Sequence, residues 1–143
     1  MASNPCSPQG TFTSIGPIRV SLETDPDFSQ SAQVACVEST VTFTDTSDSG
    51  ENVDAFGCNP NYGMYWEITP NTGFTLATGS TLGSSNGFTE ANNLYDWTVW
   101  TDGTTPLNVI FNQAGDYTIK MITGNDCGMN EIEHPICITP AVV

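Results

Sequence analysis

The chain has 143 residues, of which two are basic and sixteen are acidic, so its formal net charge at pH 7 is −14. Binding to a nucleic-acid backbone or to an anionic membrane surface requires clustered Lys and Arg, and the composition therefore argues against both activities. Apolar residues make up 38% of the chain, which is enough to bury a core, and the length suits one domain with some flanking sequence.

Neutral polar residues dominate the rest of the composition, because Ser, Thr and Asn are frequent and few side chains are charged. Such a surface is typical of extracellular β-proteins rather than of cytosolic enzymes. No apolar run approaches the ~20 residues of a membrane span, and the opening MASNPCSPQG lacks the basic end and the apolar stretch of a signal peptide. We expect an internal fragment of an exported protein, whose signal and anchor lie elsewhere.

The chain contains five cysteines, no C-x-x-C pair and a single histidine. Zinc sites use closely spaced Cys and His ligands, so disulfides are the more natural use of these residues in a short chain. Disulfides persist in oxidising compartments, which again indicates a location outside the reducing cytosol. The cysteines are Cys6, Cys36, Cys58, Cys127 and Cys137.

Apolar and polar residues alternate with a period of two at residues 40–44, 64–68, 108–111 and 117–121. This period predicts β-strands, whereas the three-and-four spacing of an amphipathic helix is absent almost everywhere. Within the fourth segment we expect one set of side chains to face the core and the other to face water. The core set is Tyr117, Ile119 and Met121, and the outer set is Thr118 and Lys120.

The last predicted strand covers residues 132–138 and contains Pro135. Because proline has no backbone N–H, we expect this strand to lie at a sheet edge or to bulge there. Between residues 73 and 106 the pattern weakens, which allows one or two further strands or a long loop. Short strands joined by Gly- and Asn-rich turns predict a sandwich of two antiparallel sheets, with Trp66 and Tyr117 as core residues of facing sheets.

Four sequence segments resemble those of a known family: VTFTDTS at residues 41–47, YWEI at 65–68, VIFNQAGDYTIKMIT at 109–123 and NDCG at 125–128. From Cys36 to Ile138 their order resembles the PKD domain, in particular the PKD-like repeats of large cell-surface adhesins in gliding Bacteroidota. The resemblance implies an all-β fold, an immunoglobulin-like (PKD-like) antiparallel sandwich of two sheets over residues 36–143. It also implies that Tyr117 ties down the crossing loop at its corner.

Residues 1–35 resemble the end of the same kind of module. The stretch from Cys6 to Val20 looks like the turn and last strand at residues 127–138, and Asp25-Pro26-Asp27 looks like a linker. We therefore expect residues 1–35 to contain the closing strand of a preceding repeat and a linker.

The resemblance implies a function as well. Such adhesins are displayed on the bacterial cell surface and contact solid surfaces or glycans during gliding motility. We expect a non-catalytic extracellular module whose partners are neighbouring repeats of the same polypeptide and a glycan or solid-surface ligand. The alternatives are a structural spacer repeat and an accessory domain of a secreted hydrolase.

An immunoglobulin-like topology also suggests disulfide pairs. The loop after the second strand and the loop between the last two strands share one pole, which would bring Cys58 near Cys127. Cys36 and Cys137 would meet toward the opposite pole. Cys6 is then left over, and other pairs such as Cys127 with Cys137 remain open.

One acidic run could hold a cation, although no other cofactor is expected. Closely spaced carboxylates and carbonyls in a turn-rich segment can enclose Ca²⁺, which takes 6–8 oxygen ligands. EF-hand spacing is absent, and a solvated acidic loop is the alternative interpretation. The candidate ligands are Asp45, Asp48, Glu51 and Asp54.

Aromatic residues crowd the segment between residues 73 and 106. Tyr95, Trp97 and Trp100 could stack on sugar rings or on an apolar partner if they are exposed. The alternative is that these rings pack beneath their own loop.

The evidence for an enzyme is thin. His134 stands directly before Pro135 without a nucleophile motif, and no G-x-S-x-G sequence surrounds a serine. A carboxylate pair for glycoside hydrolysis could be drawn from several acidic residues, but the sequence does not give their separation. Those residues are Glu67, Glu90, Asp96 and Asp102.

Overall fold

The computed structural model describes residues 21–54, 57–88 and 96–141, and it describes residues 53, 54 and 57–59 by their backbone alone. These ranges contain ten strands. They are β1 Phe28–Gln30, β2 Val34–Cys36, β3 Thr40–Asp45, β4 Asn52–Asp54, β5 Gly57–Asn59, β6 Gly63–Thr69, β7 Phe74–Leu76, β8 Leu107–Phe111, β9 Gly115–Asn125 and β10 Gly128–Thr139. A single turn of 3₁₀-helix covers Trp97–Val99.

Eight of the strands form two four-stranded sheets. The first sheet has the order β1-β3-β8-β7 and the second β2-β10-β9-β6, while β4 and β5 pair as a separate hairpin. Neighbours are antiparallel except for β2 and β10, which run parallel. This order confirms the predicted all-β, immunoglobulin-like sandwich.

Between β1 and β2 the chain passes from the first sheet to the second. β1 pairs with β3 in the first sheet, and three residues later β2 pairs with β10 in the second sheet. Both strands begin before residue 36, the predicted start of the domain, so residues 28–36 contribute to both sheets. The predicted remnant of a preceding repeat, from Cys6 to Val20, lies outside the described residues.

The core lies between the sheets and is built from the alternating residues. The first sheet contributes side chains from β1, β3 and β8, and the second contributes side chains from β6, β9 and β10. Trp66 and Tyr117 are both buried, as predicted, but they belong to the same sheet rather than to facing sheets. Fully buried members include Phe43, Leu107, Phe111, Trp66, Ile119 and Met121.

The side chain of Tyr117 holds the crossing loop at one corner of the sandwich, as the resemblance implied. Its hydroxyl is shared between the carbonyls of Gln113, at 3.0 Å, and Gly73, at 3.2 Å. Gly73 has a φ of +84°, and a Cβ there would lie 2.4 Å from the tyrosine oxygen. Glycine is therefore required at this position for both backbone conformation and space.

Pro135 lies where β10 has a free side, which confirms the predicted edge. β9 pairs with β10 along its whole length, but β2 covers only Cys137 to Thr139. The N–H of Cys137 donates to Gln33 on the β2 side, so the missing N–H of Pro135, two residues earlier, also falls on that side. In the described ranges no helix is long and apolar enough to cross a membrane.

Candidate functional site

The outer face of the second sheet carries an aromatic cluster. Tyr65 of β6, Ile122 of β9 and Trp100 are buried there, and three partly buried side chains pack against them. Those three are Phe88, Trp97 and Met129. The segment between β7 and β8, here called the insert (residues 77–106), supplies both tryptophans and Phe88.

A glycine in β6 makes room for the two indoles. Gly63 lies opposite Gly124 of β9 on this face. A Cβ on Gly63 would lie 2.9 Å from the Trp100 ring and 3.4 Å from the Trp97 ring. The missing side chain of Gly63 therefore lets the rings lie directly on the sheet.

Trp100 is a packing residue and not an exposed platform for stacking. Only 8% of its surface is exposed, and its ring meets that of Tyr65 edge to face at 5.1 Å. Trp97 is partly buried, and its indole N–H donates to the Asp126 carboxylate at 2.8 Å. Tyr95 lies outside the described residues.

Backbone hydrogen bonds hold the insert along the free edge of β6. Trp66 N–H donates to Leu82 O at 2.7 Å, and Gly103 N–H donates to Met64 O at 2.9 Å. The two arms of the insert pair through Ser84 and Thr101. The insert therefore covers an edge strand that would otherwise present unpaired backbone groups.

Two of the four predicted calcium ligands, Asp45 and Asp48, accept hydrogen bonds from nearby backbone N–H groups. The Asp45 carboxylate accepts from the N–H of Ser47 at 2.8 Å and from the hydroxyl of Tyr62 at 2.5 Å. Asp48 accepts from the N–H of Gly50 at 3.0 Å. The backbone of Glu51 pairs with Leu22, and the side chain of Asp54 is not described. Among the described residues no three His, Cys, Asp or Glu side chains form a group suited to a metal.

The contact with Asp45 also affects Tyr62. Burial of the ring, followed by the hydrogen bond to Asp45 and the negative charges of Asp45 and Asp102, raises the pKa of Tyr62 well above its ordinary value. Tyr62 therefore keeps its proton at physiological pH and acts as a donor that helps to hold the end of β3.

The described cysteines are unpaired. The thiols of Cys36, Cys127 and Cys137 are free, so neither predicted bridge, Cys36–Cys137 nor Cys58–Cys127, is formed in this structure. Register explains the first difference, because Cys36 lies opposite Thr139 and Cys137 lies opposite Val34. An offset of two residues places the two Cα atoms about 7–8 Å apart, beyond ordinary disulfide geometry.

Acidic residues surround Lys120 on the outer face of the second sheet. Its ammonium lies 3.2 Å from Glu133, 3.8 Å from Glu131 and 3.9 Å from Glu67. The hydrogen bond to Glu133 raises the pKa of Lys120, assisted by the charges of all three carboxylates. These carboxylates are more than half exposed, so the ion pairs add little stability.

The other acidic residues considered for glycoside hydrolysis have structural partners. Asp102 accepts from the N–H of Met64 at 3.1 Å, and Asp96 caps the 3₁₀ turn at Thr98 N–H at 3.0 Å. Glu90 lies outside the described residues.

Buried polar side chains hold the incoming chain at the pole of the β9–β10 turn, called the turn pole here. Asn125 is fully buried and donates to the carbonyl of Leu22. Thr24 is also buried and shares a 2.8 Å hydrogen bond with Thr123. Asn130 donates to the carbonyl of Thr24 at 2.8 Å. Residues 22–24 are therefore held against the sandwich by side chains from β9 and β10.

The first and last described residues lie at opposite poles of the sandwich. Leu22 lies at the turn pole beside Asn125, whereas β10 starts at that pole and ends at Thr139, where it pairs with Cys36. β10 has 12 residues, which span about 40 Å at the usual rise of ~3.3 Å per residue. The two ends of the sandwich are thus separated by the length of its longest strand.

The sequence around Asn125 gives no sign of this polar contact. Asn125 stands in the polar NDCG segment at the end of β9, and its burial leaves no apolar signal in the sequence. No protein-family model matches the chain, and no curated protein matches it either.

Proposed function

We propose that this chain is a non-catalytic module of a multi-domain bacterial surface adhesin, placed in series with neighbouring repeats. The observation that carries the proposal is the separation of Leu22 from Thr139 within the described residues. Leu22 lies at the turn pole and Thr139 at the opposite pole, about 40 Å away along β10. Modules with this geometry join end to end and extend a polypeptide away from a cell surface.

Side-chain hydrogen bonds hold residues 22–24 against the sandwich, which supports a stiff connection between successive modules. Asn125 and Asn130 each donate a side-chain amide to a backbone carbonyl of residues 22–24. A buried amide that loses its partner costs about 1–3 kcal/mol, so this segment is not free to swing. A pull on residues 21 and 139 would load the β1–β3 and β9–β10 ladders along the strand direction, since these two pairs join the first and last strands to their sheets.

An extracellular location agrees with the composition. The surface is strongly acidic overall and rich in neutral polar residues, which suits a module that has to stay soluble and separate among many copies. The proposed location is the bacterial cell surface, and the proposed ligand of the whole adhesin is a glycan or a solid surface.

A spacer role is the second candidate, and the position of Trp100 favours it. This ring was a predicted ligand contact, yet it packs on Tyr65 and Gly63 beneath its own loop. A spacer would require the serial geometry but no ligand on the outer face of the second sheet.

Polypeptides with two and four tandem copies of the full chain test the serial arrangement. Small-angle X-ray scattering should show a maximum dimension that grows in proportion to copy number, by at least about 40 Å for each added copy, the span of β10. A single copy is the control for the unit length. Copies that collapse into a compact particle, with a dimension that grows only as the cube root of copy number, would contradict the proposal.

A further inference from the structure

One part of the β10 edge has no strand beside it. β9 lies along one side of β10, whereas β2 begins only at Val34 and covers the other side from Cys137 onward. The side chain of Gln30 donates to the carbonyl of Pro135 at 3.2 Å and so fills the next position along that side. The edge over Met129–Glu133, here called the open edge, is left without a backbone partner from the described residues.

The open edge presents a regular row of hydrogen-bonding groups. The register between β9 and β10 runs without a bulge from Gly128 to Ile138, so alternate residues of β10 direct their backbone groups to the same side. Cys137 donates its N–H to the β2 side. Glu131 and Glu133 stand an even number of positions before it, so their N–H and C=O groups point to that side as well. These groups repeat at about 7 Å, the spacing that an added strand satisfies.

Exposed carboxylates surround the open edge. A cavity of about 560 Å³ lies between residues 23–26 and residues 130–132 of β10, and its lining includes Glu23, Asp25 and Glu131. These three residues and Glu133 are exposed, and no Lys or Arg is among the described residues that line the cavity. An approaching acidic segment would be repelled by these charges, whereas a basic segment would be attracted.

The register of the second sheet indicates where the basic residue belongs. Glu67 of β6 lies opposite Lys120 of β9, which in turn lies opposite Glu133 of β10. The charges alternate in sign along this row, and opposite charges on directly opposed residues stabilise strand pairing. A strand beside β10 would continue the row. The residue opposite Glu133 is therefore most favourable as Lys or Arg, since the single ammonium of Lys120 is shared among three carboxylates.

A second copy of this chain does not fit the open edge. Antiparallel pairing of two copies around Ile132 would place Glu131 of each copy opposite Glu133 of the other, and directly opposed like charges are destabilising. Each copy also carries a net charge of −14. The two glutamates, together with Pro135, therefore oppose edge-to-edge association of this chain with itself.

We propose that the open edge of β10 binds an extended segment of a partner protein as an added β-strand, with one Lys or Arg beside Glu133 and another beside Glu131. Main-chain hydrogen bonds to these two residues supply the attachment, and their carboxylates select basic sequences. The edge and its charges do not depend on how successive modules are joined, so this site is independent of the proposed serial function.

Amide hydrogen exchange, measured by NMR on the full chain, tests the added strand. The probe is an acetylated and amidated peptide, Thr-Thr-Lys-Val-Lys-Thr-Thr, whose lysines share one face of a strand. In the free chain the amides of Glu131 and Glu133 should exchange rapidly, whereas those of Ile132 and His134 are protected by β9. Saturating peptide should slow the exchange of Glu131 and Glu133 at least about tenfold and leave Ile132 and His134 unchanged.

Two further peptides separate strand addition from general charge attraction. Replacing both lysines of the probe by glutamates reverses its charge, and this peptide should not bind. Methylation of the backbone nitrogens of both lysines and of the valine keeps the charge but removes the main-chain donors. This peptide should bind at least about tenfold more weakly, because an added strand is held by main-chain hydrogen bonds.

Variants of the chain locate the site. Glu133→Gln should weaken binding about fivefold, the effect of losing one cross-strand charge pair. Glu67→Gln removes another carboxylate beside Lys120, but from β6, and should leave the affinity unchanged. Glu133→Pro also removes an N–H from the open edge and should weaken binding more than Glu133→Gln does. β10 already accommodates Pro135 two residues later, and the amide spectrum checks that the variant folds.

Unchanged exchange of Glu131 and Glu133 with the lysine peptide, equal binding of either control peptide, or equal weakening by Glu67→Gln and Glu133→Gln would each overturn the proposal. Protection of Glu131 and Glu133 that appears when the chain alone is concentrated would assign the edge to a second copy, and would overturn it as well. None of these outcomes changes the scattering of tandem copies. Loss of the extended tandem shape with intact peptide binding would instead contradict the proposed serial function alone.

Discussion

Trp66 of β6 and Tyr117 of β9 lie on neighbouring strands of the second sheet, and 1% and 3% of their surfaces are exposed. Trp66→Ala and Tyr117→Ala should each lower the free energy of unfolding by about 3–5 kcal/mol, because each leaves a large cavity. Denaturant unfolding measures both values. Thr75→Ala, at an exposed position of β7, is the matched control and should stay within ~0.5 kcal/mol. A Trp66 or Tyr117 value as small as the control would contradict the register of β6 and β9.

Tyr62 makes the stability of the fold sensitive to alkaline pH. Its pKa is raised in the folded chain, chiefly by burial and by the hydrogen bond to Asp45. Below a pH of about 10 both states keep the proton, so the contribution is complete there. As the pH rises through about 10, the unfolded chain loses the proton first, and stability falls until the folded-state pKa is reached.

The variant Tyr62→Phe checks this dependence. It should lose about 1–2 kcal/mol at neutral pH, since it removes a donor to a carboxylate. Above a pH of about 10 its stability should fall less steeply than that of the parent chain. Unfolding curves over a pH series measure both effects, and parallel pH profiles for the two proteins would show that Tyr62 does not titrate as described.

At the scale of elements, the insert is held on β6 by Trp100. Trp100→Ala should cost about 3–5 kcal/mol, because the ring is buried against Tyr65. Trp97→Ala should cost less, since its ring is only partly buried and its polar contact is with an exposed carboxylate. The comparison of the two unfolding free energies, with circular dichroism to confirm folding, is the measurement. A larger loss from Trp97→Ala would reverse the assignment of the packing residue.

The shortest elements depend on pairing rather than on their own sequences. β1, β2, β4, β5 and β7 have three residues each, which is too few to show a period of two. The backbone groups of β1, β2 and β7 pair with longer strands beside them, as β3 lies beside β1 and β10 beside β2, whereas β4 and β5 pair with each other. A tertiary neighbour therefore decided their existence, and sequence patterning could not predict them.

The whole molecule carries a net charge of −14 and should be stabilised by added salt. Screening relieves the self-repulsion of the acidic surface, so NaCl, MgCl₂ and CaCl₂ at matched ionic strength should raise the melting temperature equally. The oxygens of Asp45 and Asp48 already accept backbone or tyrosine donors, which is the reason to expect no extra effect of calcium.

Thermal unfolding in the three salts, repeated for Asp45→Asn combined with Asp48→Asn, measures the calcium effect. A calcium shift that exceeds both other salts, and that disappears in the double variant, would establish the metal site predicted from the acidic run.

The sequence by itself determined the class of fold and most of the core. Alternation with a period of two depends only on neighbours along the chain, and it correctly predicted that Tyr117, Ile119 and Met121 are buried. Likewise, the missing N–H of Pro135 is a property of one residue, and it was enough to predict the free edge of β10. Composition alone was sufficient to argue against nucleic-acid binding.

Only the tertiary structure decided which residues meet. Trp100 is buried against Tyr65 and Gly63 of β6, residues more than 30 positions earlier in the chain, which meet it only through the tertiary fold. The free thiols of Cys36 and Cys137 follow from a register offset of two residues that topology alone does not specify. The side chain of Gln30 donates to the carbonyl of Pro135, 105 residues away, so no local pattern could reveal this contact. The physical reason is common to all three: side-chain surroundings depend on strand register, and register is set by pairing across the sheets.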